Sequence, residues 1–160
     1  MSDLYAVSSS DKAVQSLPWD CQDAFVYQLE VDNQHIDVMG HTNNCEYLKW
    51  CEVMAWRHSE HLGLGIAEYR EVGHGMAAVH TELDYLAATF AGEQLYIGTW
   101  IASCNRIGLV RHYQVIRPAD GAVVLRANTR FVCVDLSSGR LRRLPESFKT
   151  AYGNAVVAAD

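Results

Sequence analysis

One stretch limits the folds open to this chain more than any other. Between residues 43 and 62, Tyr47, Trp50, Cys51, Met54, His58 and Leu62 recur at steps of three and four, the spacing that lines one stripe of an α-helix. Asn43 is a good N-cap, and Glu46 follows three positions later in the manner of a capping box, so the helix starts at Asn43 or Asn44. Gly63 and Gly65 end it. At ~1.5 Å per residue, about 20 residues make a rod near 30 Å long. No other stretch before the C-terminal tail has this helical spacing.

Strands account for the rest. Phe25, Tyr27, Leu29 and Val31 alternate with the more polar Gln28 and Glu30 ahead of the helix. Beyond Gly75, Val79, Thr81, Leu83 and Tyr85 alternate in one segment, and Leu95, Ile97, Thr99 and Ile101 in the next. "IGLVRHYQVIRP" is a further strand, stopped by Pro118 and turned by Asp120-Gly121. Its partner "AVVLRANTRFVCVD" sets Arg126, Asn128 and Arg130 on one face and Leu125, Ala127, Thr129 and Phe131 on the other, and "LSSGR" turns it back. The tail from Glu146 reads as a short helix. One strand, one long helix and a meander of four or more antiparallel strands make an α+β arrangement. Residues 1–20, with "SSS", "LPWD" and no period, read as an irregular arm. Residues 21–160 are then a single domain, long enough to bury one core.

Composition excludes several classes. Apolar residues at 49% and charged residues at 20% describe a globular chain. No apolar run reaches the roughly 18 to 20 residues of a membrane span, and the start lacks the basic-then-apolar build of a signal peptide, so a cytoplasmic location is expected. Five cysteines, an odd number without a C-x-x-C pair, argue against disulfide scaffolds and structural zinc. A net charge of −6 argues against nucleic acid as a partner. Its distribution is uneven: residues 101–150 hold nine of the 13 Lys and Arg with three acids, +6, against −12 elsewhere. That half can meet a small polyanion, or simply carry arginines on a strand face.

The chemistry concentrates in "HIDVMGHTNN", residues 35–44. His35, Asp37 and His41 are metal-ligand types, but offsets of two and six match no common zinc spacing. No Ser stands in a G-x-S-x-G elbow, and "GLGIAEYREVGHG" matches neither a P-loop nor a dinucleotide loop. What remains is an Asp at a strand end, a Gly that permits a sharp turn, and an Asn pair opening a helix whose first N–H groups are unpaired. Such donors polarise a carbonyl, and an Asp beside them serves as nucleophile or general base. Ordinary turn chemistry is the competing reading.

"HIDVMGHTNNCEYLKWCEVMAW" resembles the strand-to-helix signature of hotdog-fold acyl-CoA thioesterases of the 4-hydroxybenzoyl-CoA thioesterase type. Asp37, Gly40, His41, Asn43, Asn44 and Tyr47 carry the match, the resemblance spans roughly residues 23–145, and "SSGRLRRLP" looks like the family's ending. It implies a hotdog fold, one long helix wrapped by a curved antiparallel sheet of about five strands. It implies hydrolysis of acyl-CoA thioesters without metal or cofactor, by a homodimer that pairs again into a tetramer. By the same resemblance Asp37 is the catalytic carboxylate, and the backbone N–H near Asn44 polarises the carbonyl. Gly40, His41, Asn43 and Tyr47 attend the substrate, and Tyr47, Trp50, Cys51 and Met54 line the acyl pocket. Arg106 and Arg111, with Arg140, Arg142 and Arg143, are candidate contacts for CoA phosphates. His35 stands where the family often has a second acid, and Thr42 where Val is usual. A non-catalytic acyl-CoA-binding module, a carrier-protein thioesterase and an enoyl hydratase stay open on the same fold.

Overall fold

The computed structural model describes residues 4–8 and 10–158. Six strands form one antiparallel sheet in the order β1-β2-β4-β5-β6-β3: β1 Leu4–Ala6, β2 Phe25–Glu30, β3 His74–Tyr85, β4 Gln94–Cys104, β5 Gly108–Arg117 and β6 Ala122–Asp135. Register shifts between Ala78 and His80, Ile101 and Ser103, and Val115 and Ile116 mark bulges, which bend strands and curve a sheet. Against its inner face lies the long helix α2, Asn44–His61, packed through Tyr47, Trp50, Cys51 and Met54 onto Leu29, Leu95, Ile97, Val115 and Leu125. The stripe read from sequence is therefore the seam of the core.

Residues 1–20 are not irregular where they are described. Leu4–Ala6 pairs with β2 as a sixth strand, beyond the five or so expected, and Lys12–Gln15 forms the one-turn helix α1, capped by Asp11 on the Ala13 N–H. Elements of three and four residues are too short to display a period. What fixes them is tertiary. Val14, Trp19, Cys21 and Ala24 cover Val26, Trp100 and Ile116 on the outer face of the sheet. Gly98 admits the Trp19 ring, which a Cβ there would meet at 2.7 Å. The fully buried Gln114 side chain accepts the Asp20 N–H and donates to the Pro18 carbonyl, clamping the same segment.

A second short helix, α3 (Ile66–Val72), also falls in a stretch with no helical expectation. It is seven residues long, begins at Gly65, whose N–H donates to Glu68, and ends at Gly73 with φ +74°. Gly65 and Gly73 are its two borders. The tail forms α4, Glu146–Asn154, as expected, with Phe148 and Tyr152 buried. No helix among the described residues is long and apolar enough to cross a membrane.

Candidate active site and cavity

The 35–44 segment folds as a tight loop that delivers the chain into α2. Asp37 does not end a strand: a 3-10 turn, Asn33–His35, comes between β2 and the loop, closed because the Asp32 N–H donates to His35 Nδ1. Ile36 then bridges Thr42, the Asp37 N–H donates to the His41 carbonyl, and the Gly40 N–H donates to the Asp37 carbonyl. Gly40 takes φ +85°, the left-handed conformation that made glycine the expected residue here. The Asn43 N–H donates to the His35 carbonyl, so the loop closes on itself directly before the helix.

This brings Asp37 and the start of α2 onto one short loop. The Asp37 carboxylate is half-buried and accepts the Met39 N–H at 2.8 Å, while Val38 and Met39 at the tip are exposed. Asn43 caps the helix, but not as a capping box: its side chain accepts the Cys45 N–H, and Glu46 pairs with Lys49 at 2.8 Å instead of reaching back. The cap consumes the Cys45 N–H, and the Glu46 N–H donates to the Asn43 carbonyl. The Asn44 N–H has no acceptor among the described residues. It is a helix-start donor left available, where the macrodipole favours negative charge.

Other expected residues divide. His41 is half-buried, 3.5 Å from the Thr42 carbonyl through Nδ1. Buried His35 sets its ring edge-on to Trp50. Thr42 is buried as the usual Val would be, but its hydroxyl bonds Thr89, which also bonds the Tyr47 hydroxyl. Tyr47, Trp50 and Met54 thus belong to the core, and of the four residues expected around the acyl group only Cys51 lines the cavity described next. The helix stripe had to serve the sheet first.

That cavity, of about 360 Å³, lies between α2 and the β3, β5 and β6 side of the sheet. Asp37 is not on its wall, but Leu48, one turn beyond Asn44, is; Ser59, in the last turn of α2, marks the other end. Trp56, Met76, Leu109 and Phe131 make it largely apolar. Arg111 does not lie at the surface to meet a phosphate, as expected, but is 2% exposed on this wall. Strand alternation explains it: Arg111 shares the inner face with Leu109, Tyr113 and Val115. Sequence reasoning missed this, although the period of two was there to apply.

Arg111 is held by neutral groups. Its Nη1 donates to His58 Nδ1 at 2.6 Å, and it approaches the Thr99 and Ser59 hydroxyls at 3.5 Å. A guanidinium cannot accept, so the histidine must. Burial, then the Arg111 charge, lowers the His58 pKa to about 3 and keeps the ring neutral. Tyr152 donates to Ser59 at 2.9 Å and bonds Tyr69. Burial also raises the pKa of Tyr69 and of Tyr113, so neither supplies negative charge. Arg106, by contrast, is exposed near the equally exposed Arg140, Arg142 and Arg143, tied in by the Leu144 N–H to the Arg106 carbonyl. No group of three or more His, Cys, Asp or Glu among the described residues is arranged to hold a metal.

Comparison with known proteins agrees with this architecture. A family model described as the thioesterase-like superfamily matches residues 31–152. The 1,4-dihydroxy-2-naphthoyl-CoA hydrolase of Synechocystis sp. is 25% identical over 130 residues, which cover 79% of this chain and 93% of that one. The long-chain acyl-CoA thioesterase FadM of Escherichia coli is 28% identical over 116 residues, 69% of this chain and 83% of the other. A hypothetical protein of Staphylococcus aureus, solved in complex with CoA, shares the fold with a TM-score of 0.77 at 17% identity, over 85% of this chain and 87% of that one.

Proposed function

The chain belongs to the thioesterase-like superfamily, and on that premise we propose that it hydrolyses acyl-CoA thioesters to the free acid and CoA, with Asp37 as the reacting carboxylate. The observation that carries the assignment is local. One short loop presents the Asp37 carboxylate and the unclaimed Asn44 N–H at the start of α2. The thioester oxygen accepts from that N–H, and the helix dipole favours the charge that develops on it. Asp37 then attacks the carbonyl carbon, CoA leaves as the thiolate, and water cleaves the resulting anhydride; alternatively Asp37 takes the proton of a water that attacks directly. The two named relatives act on an aromatic and a long-chain acyl group, so the acyl identity is not carried over from them.

A homodimer completes the site. β3 is a 12-residue strand at the edge of the sheet, open on one side among the described residues, and such an edge invites a second strand. Two copies related by a two-fold axis pair β3 antiparallel, which sets the His74 end of one beside the Tyr85 end of the other. Tyr85 donates to the Asn44 carbonyl, so that end marks the start of α2; Asp135, which pairs with His74, leads into the turn before Arg140. The exposed arginines of one copy thereby approach the helix start of the other, where CoA phosphates need cations.

The deciding experiment is thiol release from short, long, branched and aromatic acyl-CoAs by the wild type and by Asp37→Asn. Turnover of at least one substrate that falls about a thousandfold in the variant supports the reading. Near-wild-type rates in a folded Asp37→Asn protein overturn the assignment. Single turnover in 18O-water separates the two routes, since only the anhydride route can leave label on Asp37.

A further inference from the structure

The cavity wall holds a buried cation for which the described residues supply no anion. Among the described residues no ion pair involves Arg111; its hydrogen-bond partners are His58, Ser59 and Thr99. Glu52 also lines the cavity but is exposed at its rim and does not pair with the guanidinium. The last turn of α2 offers Arg111 only the fractional negative charge of a helix end. Keeping a charge out of water without a counter-charge is costly, and an arginine cannot avoid the cost by losing its proton. Evolving an apolar side chain of similar volume would remove that cost.

Position gives the cation a use. The cavity runs along α2 from Leu48, one turn past Asn44, to Ser59, 11 residues further on, about 16 Å at the rise of an α-helix. A thioester held at the start of α2 therefore sends its acyl group down an apolar channel whose far end carries a guanidinium. Few polar groups in an apolar cavity of this size fix orientation and choose the ligand. We propose that Arg111 is a specificity residue, and that the preferred substrates are acyl-CoAs whose acyl group bears a carboxylate at the end remote from the thioester. This rests on the thioesterase reading above and names the substrate class of the same site. The incoming carboxylate supplies the missing negative charge, and it competes for the Arg111 N–H groups that make only 3.5 Å contacts to the Thr99 and Ser59 hydroxyls. Tyr69 and Tyr113, which burial keeps protonated, line the same wall without repelling it.

The test compares matched pairs, octanoyl-CoA with suberoyl-CoA and decanoyl-CoA with sebacoyl-CoA, on the wild type, Arg111→Met and Arg111→Lys. One charge-assisted contact predicts a wild-type preference in kcat/KM for the ω-carboxy member of about ten- to hundredfold at the best length. Arg111→Met lowers kcat/KM for the ω-carboxy member far more than for its plain partner and so abolishes that preference, and Arg111→Lys, a cation without the fork, keeps part of it. A purely structural Arg111 predicts instead equal losses for both members of each pair. That result overturns the inference, as does a wild-type preference for the plain chain at every length. If Arg111→Met does not fold, the wild-type pairs and Arg111→Lys decide. Calorimetric titration with free suberate and octanoate separates this inference from the reaction itself. Suberate binding with no hydrolysis of any acyl-CoA removes the thioesterase reading and keeps the site; hydrolysis with neither suberate binding nor ω-carboxy preference removes the site and keeps the enzyme.

Discussion

The first and last turns of α2 solve opposite problems. At the first turn, an exposed loop leaves the Asn44 N–H and a half-buried Asp37 available, with Val38 and Met39 open to solvent. At the last turn, the inward polar side chains are buried and engaged, His58 with Arg111 and Ser59 with Arg111 and Tyr152, while Glu60 and His61 face solvent. Between them Met54 is sealed in the core and the buried Cys51 borders the cavity. The difference teaches where each kind of cost is carried. On the proposed reading, the open groups at the first turn await the thioester, whereas at the last turn the fold satisfies its own polar groups and leaves only the Arg111 charge without a counter-charge.

Four changes test that division. The largest effect belongs to Asp37→Asn, which is expected to lower kcat about a thousandfold. Its unfolding free energy, measured by urea melts, should move by less than about 0.5 kcal/mol, as for an ordinary surface substitution. A large stability loss would mean that the loop carries the fold after all. Next comes pH. His58 is held neutral with its pKa near 3, against an unfolded value of 6.5. Above pH 6.5 neither state binds the proton; below it the unfolded chain takes one that the folded chain refuses. Stability therefore declines from pH 6.5 down towards 3, by about 2 kcal/mol between pH 7 and 5. His58→Gln should flatten that part of the profile, and an unchanged slope would remove His58 as its cause.

Smaller effects sharpen the boundary. Asn43→Ala removes the cap on Cys45 and should cost about 1 kcal/mol of stability. It also frees a second N–H at the helix start, so a change in KM for acyl-CoA out of proportion to the stability loss is expected. Thr42→Val takes the hydroxyl from the Thr42, Thr89 and Tyr47 cluster but leaves the other two hydroxyls bonded to each other. A loss below about 1 kcal/mol by thermal melts, with kcat unchanged, is the expected result.

Long periodic features were legible in the sequence. The stripe from Tyr47 to His58, the alternating strands and the turn at Gly40 all stand where spacing put them, because burial on one face repeats over enough residues to show. What escaped notice was short or decided at a distance. α1 and β1 owe their places to Trp19 over Gly98 and to Leu4 opposite Leu29, contacts that no local pattern encodes. Arg111 was misplaced because its charge outweighed its position on an inward-facing strand register. The site loop was readable as a carboxylate beside a helix start. The choice of Asn44 over Cys45 as the open donor needed the observed cap.

The N-terminal strand has a consequence for what copies of this chain do together. β1 is three residues long and closes one side of the sheet, while β3 offers 12 on the other. Growth by strand addition needs two competent ends, and a stub of this length is one of the ways natural sheets avoid it. A molecule with a single receptive border can join one partner and is then finished. On the pairing proposed through β3, a border as short as Leu4–Ala6 would leave a further copy little to pair with, and association along the sheet would stop at two copies.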